Sequence, residues 1–424
     1  MKKSNIIILL SVLTFLLSIY VIEMPAIHST PHPKQPGVIR SVNHQPLTSV
    51  SAENPHIQQL LAEYEVAINN LMITSQTPGA AIAIVKDSSI IYLKGFGVKA
   101  YGTKDSVDTE TVFRLGSVSK CFAPMLTGLL VEDKVLAWND KVIKYLPGFA
   151  LQSKEQTDQL LLRHVLSHTV GLPYHTYTNL IEEGETLPSM LSKLKDINMI
   201  GTVGHVYSYQ NVAYSIIGEV IHAASGKSYE NLMTERIFAP LHMDQASISY
   251  ADIMKNTNVA RPHKHLRSGM AITSINDTYY NVAPAGGVNA SASDMALWIE
   301  ALLGNRKDIV TDKTLNEIFT PVIHAPSKNR NFRRYIHQTD SYYALGWRVL
   351  DSKTDTLFYH GGYVNGYRSE LAINRKDKIG ICILTNSTGA LADNSAPYFF
   401  NLYLLRRDSI QQWENRHRMM ANTK

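Results

Sequence analysis

Residues 114–120 read Arg-Leu-Gly-Ser-Val-Ser-Lys and lead into an apolar run from Phe122 to Val131. A glycine followed by a long apolar segment predicts a loop that turns into a buried helix, with Ser117 in the first turn. Residues three apart on a helix share a face, so the amine of Lys120 comes within reach of the Ser117 hydroxyl. We expect the rest of the fold to be organised around this stretch.

Ser117 and Lys120 are residue types that support nucleophilic catalysis. A serine hydroxyl is a weak nucleophile until a base takes its proton, and burial lowers the pKa of a lysine below its usual value of about 10.4. The amides at the helix start favour negative charge that develops near Ser117. Ser-x-x-Lys alone is common, however, and an ordinary helix start with an exposed lysine is the alternative.

Composition excludes several classes of protein. The chain has 424 residues, of which 45% are apolar and 18% charged, so it is globular with one large domain or two ordinary ones. A net charge of +5 without a long basic run argues against nucleic-acid binding. Cys121 and Cys382 both lie in apolar segments. They are therefore interpreted as buried free thiols rather than a disulfide, and no metal site or cofactor is predicted.

The N-terminus is typical of an exported protein. Lys2 and Lys3 precede an uninterrupted apolar segment from Ile6 to Ile22, which resembles the core of a signal sequence. No clear cleavage site follows, so a cleaved signal and an uncleaved membrane tether both stay open. Either one predicts a periplasmic or other extracytoplasmic location.

The order of predicted elements gives a fold class and domain limits. Strand patterns occur near both ends of the chain, with a mostly helical block at about 122–340 between them. The simplest closure is an α/β (α+β) fold, in which one antiparallel sheet is built from both chain ends, flanked by terminal helices, with the helical block as a second lobe. We assign 1–27 to the signal or anchor, 28–55 to a flexible linker, 56–405 to the folded domain and 406–424 to a charged, frayed tail.

Two further stretches carry residues suited to the same chemistry. Tyr209 and Asn211 lie two apart just before a helical pattern, so both side chains can face one cleft. A tyrosine near a cationic lysine can shuttle protons because the positive charge favours the phenolate. The segment His360-Gly361-Gly362-Tyr363 follows a predicted strand, and its glycines let a ligand approach the backbone. The amides of Tyr363 and Ser117 would then form an oxyanion hole. Taken alone, these segments could equally be a packed loop and a hairpin turn.

The three segments together resemble the motifs of the class C β-lactamase and penicillin-binding serine hydrolase family. Ser117-x-x-Lys120, Tyr209-x-Asn211 and His360-x-Gly362 occur in the family's order and spacing. Further agreement comes from 163–172, 229–243, Pro-Ala-Gly-Gly at 284–287 and Leu-Gly-Trp at 345–347. The resemblance covers roughly 57–405 and implies a β-lactamase/transpeptidase-like fold with the active site between the lobes.

The resemblance also implies a role for each matched residue. Ser117 would be the acylated nucleophile, with Lys120 and Tyr209 as the proton-transfer pair. Asn211 and His360 would position the substrate and the tyrosine. His164 and His168 have a spacing that superficially suggests zinc, but without the glutamate of His-Glu-x-x-His they are interpreted as structural.

The sequence departs from the family pattern at Gly361, where β-lactamases and peptidases carry a threonine or serine. The hydroxyl expected to bind a substrate carboxylate is therefore missing, and Arg368 is predicted to replace it as a bidentate partner. Pro124 is a second departure and predicts a kink just past Lys120.

We therefore predict an exported serine hydrolase that forms an acyl-enzyme on Ser117. Its partners would be small-molecule or peptide substrates, either β-lactams or D-amino-acid peptides of the cell wall. One alternative is a small-ester hydrolase of the same family. The other is a non-catalytic relative that binds penicillin or cell-wall fragments.

Overall fold

The computed structural model describes residues 50–267, 269–326 and 330–421. These residues belong to one compact unit. The predicted signal or anchor at Ile6 to Ile22 and the linker up to residue 49 lie outside the described residues. Within the described ranges, no helix is long and apolar enough to cross a membrane.

A single eight-stranded antiparallel sheet forms the centre of the fold and confirms the predicted closure from both chain ends. Its N-terminal strands are β1 (Gly79–Lys86) and β2 (Ser89–Gly97), joined by a tight turn at Asp87-Ser88. The other six are β7 (Ile323–His324), β8 (Asp340–Tyr343), β9 (Arg348–Asp351), β10 (Thr356–Val364), β11 (Tyr367–Asn374) and β12 (Ile379–Thr385). The strand order is β2-β1-β12-β11-β10-β9-β8-β7, so β1 pairs with the last strand of the chain.

Both faces of the sheet are covered, which explains why β1 is buried along its whole length and apolar up to Lys86. One face packs against the terminal helices α2 (Pro55–Thr74) and α17 (Ala390–Ala421). The core face of α2 presents Ile57, Leu60, Tyr64, Ile68 and Met72, the spacing of a helix buried on one side. The other face packs against α14 (Ala292–Leu302) and the lobe that follows the nucleophile.

The central lobe is mostly helical, as predicted. Its α-helices are α3 (Phe122–Glu132), α4 (Val142–Tyr145), α5 (Lys154–Gln159), α6 (Leu162–Leu166), α7 (Thr178–Glu182), α8 (Leu187–Ser192), α9 (Ile216–Ser225), α10 (Tyr229–Met233), α11 (Ala239–Leu241), α12 (Tyr250–Lys255), α13 (Ala283–Gly286), α14, α15 (Asp312–Phe319) and α16 (Arg330–Ile336). Short 3₁₀ turns cover Gly116–Cys121, Leu194–Asp196, Ala213–Ser215 and Tyr280–Val282, and a π turn covers Thr234–Phe238. Two small ribbons were not predicted: β3 (Phe113–Arg114) with β6 (Asn289–Ala290), and β4 (His263–Leu266) with β5 (Gly269–Ile272).

The predicted kink at Pro124 is wrong, because the chain changes from a 3₁₀ turn to α3 at Phe122. Pro124 therefore falls in the first turn of α3, where its missing N–H has no helical partner to lose.

The chain beyond Leu405 is also not a frayed tail. The last helix, α17, continues to Ala421 and is held by buried groups. Arg407 forms ion pairs with Asp355 and Asp377, and Glu414 accepts a 3.0 Å hydrogen bond from Ser51. Ser51 belongs to α1 (Val50–Glu53), so the C-terminal end of the predicted linker is helical as well.

Candidate active site

Ser117 and Lys120 lie on the 3₁₀ turn that follows β3. Residues three apart on a 3₁₀ turn are eclipsed, so both side chains project from the same row. Ser117 is partly exposed, whereas Lys120 is completely buried. The nucleophile candidate is therefore open to a substrate, while its neighbouring amine is shielded from water.

The amine of Lys120 is held by two oxygens. Its Nζ donates to Asn211 Oδ1 and to the Ala285 carbonyl, each at 2.8 Å. Burial places the pKa of Lys120 well below its ordinary value, and the nearby charge of Arg348 lowers it further. A neutral amine that donates two hydrogens retains a free lone pair. Lys120 is therefore suited to take the proton of Ser117.

Tyr209 completes the group predicted from the sequence. Its phenol is near enough to the Ser117 hydroxyl to interact with it, and its ring centroid lies 4.7 Å from Lys120 Nζ. Burial raises the pKa of Tyr209 above its usual range, although the interaction with Ser117 opposes the shift. The interpretation that Lys120 would favour a phenolate is therefore wrong. A neutral Tyr209 phenol is suited to donate or relay a proton, and Lys120 is the better candidate for the base.

The loop that carries Tyr209 is fixed by His168. The Gln210 amide donates to His168 Nδ1 at 3.1 Å, and the His168 ring lies 4.3 Å from the Tyr209 ring. His164 accepts from the Leu161 amide at 3.2 Å and caps α6. Both histidines thus have structural contacts. No group of three or more potential metal ligands occurs among the described residues.

The His360 side chain is neutral and lies beside the ring of Tyr209. Its ring centroid is 6.3 Å from that of Tyr209, and its Nε2 lies 3.1 Å from the Tyr343 hydroxyl. Burial holds the pKa of His360 well below its usual value, and Arg348 and Lys120 lower it further. His360 therefore contributes to the position of Tyr209 without adding a positive charge.

The strand that carries His360 has a free edge beside Ser117. It was predicted to end at Tyr359, but β10 continues to Val364 and pairs with β9 only over Thr356–Tyr359. Val364 pairs with Tyr367 across a two-residue turn. In that register the N–H and C=O groups of Gly361 and Tyr363 point away from β11, toward the free edge.

Two glycines let the nucleophile turn approach this edge. A methyl group on Gly116 would lie 2.7 Å from the Tyr363 carbonyl oxygen and 2.9 Å from its amide nitrogen. A methyl group on Gly362 would lie 2.0 Å from the Leu115 carbonyl oxygen. The Tyr363 amide is thus next to the Ser117 segment, as an oxyanion hole requires.

Arg368 does not join this group. Its guanidinium bonds to Glu370 at 2.6 Å and to Asp393 of α17 at 2.8 Å. A methyl group on Gly361 would lie 2.6 Å from the Tyr359 hydroxyl and 3.1 Å from the Glu370 carboxylate. The prediction that Arg368 replaces the missing hydroxyl as a carboxylate partner is therefore wrong, because both of its carboxylate contacts are internal.

Arg348 is the cation that the sequence interpretation missed. It opens β9 directly after the Leu-Gly-Trp stretch, and its Cζ lies 5.8 Å from the Tyr209 ring and 5.9 Å from the Tyr343 ring. Among the residues that the structure describes, no carboxylate lies within ion-pair distance of Arg348. The only signal in the sequence was its position next to a family landmark.

The chain is similar in sequence to a known protein family and to curated proteins. Residues 57–402 match the sequence profile of the family described as Beta-lactamase. Protein flp of Staphylococcus aureus is 24% identical over 323 residues, which cover 73% of this chain and 59% of that protein. Unguisins hydrolase ungD' of Aspergillus campestris is 24% identical over 335 residues, 75% of this chain and 60% of that protein. The chain thus matches about three fifths of the length of these curated relatives.

A solved structure supports the fold. The octameric penicillin-binding protein homologue from Pyrococcus abyssi superposes with a TM-score of 0.71. The two proteins are 23% identical, and the match covers 81% of this chain and 77% of the other. The β-lactamase/transpeptidase-like fold expected from the sequence is therefore confirmed.

Proposed function

The chain belongs to the beta-lactamase family, and from this membership we propose that it is a serine hydrolase that forms an acyl-enzyme on Ser117. The observation that carries the proposal is the meeting of Ser117, Lys120 and Tyr209 at one point. A protein that only binds its ligand has no need of a buried amine beside a serine and a tyrosine that face each other.

In the proposed acylation step, Lys120 Nζ takes the proton of Ser117 as Ser117 Oγ attacks the substrate carbonyl carbon. The amides of Ser117 and Tyr363 hold the oxyanion of the tetrahedral intermediate. The carbon–nitrogen or carbon–oxygen bond then breaks, and Tyr209 donates its proton to the leaving group while Lys120 reprotonates it. In deacylation, water takes the place of Ser117 as the nucleophile and the proton transfers run in the opposite direction, so that the acyl group is released and Ser117 is restored.

Arg348 supports a substrate that carries a carboxylate. The Arg348 guanidinium pairs with no carboxylate of the described part of the chain and is set against the ring of Tyr209, so it can bind a carboxylate that enters the cleft. β-Lactams and D-amino-acid peptides of the cell wall both carry such a group. We propose these two carboxylate-bearing compounds as the leading substrates and small esters as the second possibility. We also propose, more narrowly, that the chain resembles class C enzymes.

Three substrates separate these possibilities. Rates should be compared on a short acyl ester, a chromogenic cephalosporin and a D-Ala-D-Ala peptide, with Ser117→Ala as the matched control. We expect ester cleavage and slow cephalosporin turnover, because the hydroxyl normally found at Gly361 is missing. Ser117→Ala should lower each rate by about three orders of magnitude or more. No turnover of any substrate by folded protein would favour the non-catalytic relative.

Export is a separate part of the proposal and depends on the sequence alone. Lys2, Lys3 and the apolar segment from Ile6 to Ile22 support translocation of the catalytic domain. Fractionation of cells and N-terminal sequencing of the mature protein would test it. Full-length protein in the cytosolic fraction would contradict export.

A further inference from the structure

Arg368 contacts the backbone of β10 as well as its two carboxylate partners. Its Nη1 donates to the carbonyl oxygen of Gly362 at 3.2 Å. In the register of β10 and β11, Gly362 lies opposite Ser369, so the Gly362 carbonyl points toward β11 and away from the free edge. A carbonyl oxygen has two lone pairs and can accept from a side chain in addition to the strand ladder.

The Gly362 carbonyl and the Tyr363 amide belong to one peptide group. The C=O and N–H of a trans peptide point in opposite directions, so a donor on the Gly362 oxygen leaves the Tyr363 N–H directed at the free edge beside Ser117. A cationic donor at the oxygen favours the resonance form that withdraws electrons from the nitrogen. The N–H of the same peptide group is then a stronger donor, as in any chain of hydrogen bonds that polarise one another.

The guanidinium of Arg368 is held in place by charged partners. Its Nη2 bonds to Glu370 at 2.6 Å and to Asp393 at 2.8 Å, while Nη1 reaches the Gly362 carbonyl. Glu370 is 2% exposed and also accepts from the Tyr359 hydroxyl. Groups on β10, β11 and α17 therefore fix the direction of the bond to the carbonyl.

An alternative role for Arg368 is to anchor α17 to the sheet, and Arg407 shows that role alone. Arg407 also pairs with two carboxylates, Asp355 and Asp377, and its side chain is 16% exposed against 22% for Arg368. Among the contacts of the described residues, only Arg368 of this pair donates to a backbone carbonyl. Arg407 is therefore a matched control for helix anchoring.

We propose that Arg368 is a positioning residue for the oxyanion hole, which orients and strengthens the Tyr363 N–H through the Gly362 carbonyl. The inference rests on the proposed function, in which the Tyr363 amide holds the oxyanion. Loss of a whole oxyanion donor costs about 10²–10³ in kcat. Arg368 only improves a donor that remains, so we expect Arg368→Met to lower kcat by about 5- to 20-fold with KM for a neutral ester unchanged.

Selective labelling observes this peptide group without any need for turnover. Gly-Tyr occurs twice in the chain, at 362–363 and 366–367. Full-length protein with ¹³C at the glycine carbonyls and ¹⁵N in tyrosine therefore gives two signals in an HNCO spectrum. Tyr363→Phe, at a side chain that is 57% exposed, identifies the first signal by its loss. We expect Arg368→Met to move the 362–363 carbonyl and amide proton upfield and to change the 366–367 signal much less. Arg407→Met should move neither.

The same variants are compared on a neutral ester. Arg368→Met should show the loss of kcat, whereas Arg407→Met should keep both kcat and KM. Arg368→Met leaves the buried carboxylate of Glu370 without its cation. The double variant Arg368→Met/Glu370→Gln removes that charge, and it replaces the single variant in both measurements if the single variant does not fold.

The outcomes separate this inference from the proposed function. A 362–363 signal that stays in place in the Arg368 variant, or a kcat equal to that of the wild type, would overturn the inference and leave the acyl-enzyme intact. Equal losses of kcat in the Arg368 and Arg407 variants would also overturn it, because helix anchoring would then be the cause. A wild type that neither cleaves the ester nor reacts with a fluorophosphonate would refute the proposed function itself.

Discussion

Replacement of Gly361 with alanine is expected to destabilise the protein, although a glycine inside a strand normally costs stability. The added methyl group would lie 2.6 Å from the Tyr359 hydroxyl, which donates to the buried carboxylate of Glu370. The hydroxyl cannot move away from the methyl group without weakening its hydrogen bond to Glu370. Overpacking of this kind costs about 1–3 kcal/mol, whereas relief of glycine entropy alone would give about 0.5–1 kcal/mol in the opposite direction. The sign of the change in the free energy of unfolding therefore distinguishes overpacking from relief of glycine entropy.

The assay is chemical denaturation of four proteins: the wild type, Gly361→Ala, Tyr359→Phe and the double variant. Tyr359→Phe removes the clashing oxygen, so the double variant should be more stable than the sum of the single changes by about 1 kcal/mol or more. Gly148→Ala is the matched control, because a methyl group there meets nothing within 4 Å. A Gly361→Ala protein as stable as the wild type, or strict additivity, would show that the Tyr359 hydroxyl does not obstruct a side chain at position 361. Gly361→Thr should likewise fail to raise cephalosporin turnover.

Three further predictions concern charged groups. The kcat/KM for a neutral ester should rise with pH through the pKa of Lys120, since the base must be neutral. Burial lowers that pKa, so the inflection should fall well below the ordinary lysine value. Lys120→Met should lose about 10²–10⁴-fold in rate above the inflection and should no longer show it. An inflection near the ordinary lysine pKa would contradict the assignment. Arg348→Gln should lower kcat/KM for a carboxylate-bearing peptide about 10- to 100-fold, far more than for a neutral ester; equal losses would remove Arg348 from carboxylate binding. Arg407→Met should destabilise the protein by about 2–3 kcal/mol, because its side chain is 16% exposed and pairs with Asp355. Burial acts to raise the pKa of Asp355, but hydrogen bonds, chiefly from Arg407, bring it below its usual value. This stabilisation is present above about pH 4 and is lost as pH falls through the lowered pKa, so denaturation curves of wild type and variant should converge in acid.

Local patterns in the sequence are sufficient to predict the nucleophile turn and the strands of the sheet. The glycine at 116, the apolar run after Lys120 and the strand-like runs of β1 and β2 each report the immediate neighbourhood of a residue. The meeting of Ser117, Lys120 and Tyr209 came from the resemblance, since no local pattern specifies which distant loop faces which helix.

Arg368 was misassigned because nearness in sequence does not determine which face of a sheet a side chain occupies. Arg368 and Glu370 are two apart on β11, so both project to the same face, toward Asp393. Arg348 was missed for the complementary reason. Its role depends on where β9 passes Tyr209, which is a tertiary contact without a sequence period.

The C-terminal end of α17, in contrast to Arg348, carries a sequence pattern that indicates its structure. Arg407, Ile410 and Glu414 recur at helical spacing, and their contacts hold the helix against the sheet. The high charge of this segment predicts fraying, but part of that charge forms the buried ion pairs.

The central claim is that Ser117 is activated by Lys120 and Tyr209, and the site of covalent labelling tests it most directly. Folded protein is treated with a fluorophosphonate, digested and mapped by mass spectrometry. We expect a single adduct on Ser117 that forms far more slowly in Lys120→Met. Absence of any adduct on folded protein, or an adduct on another residue, would contradict it.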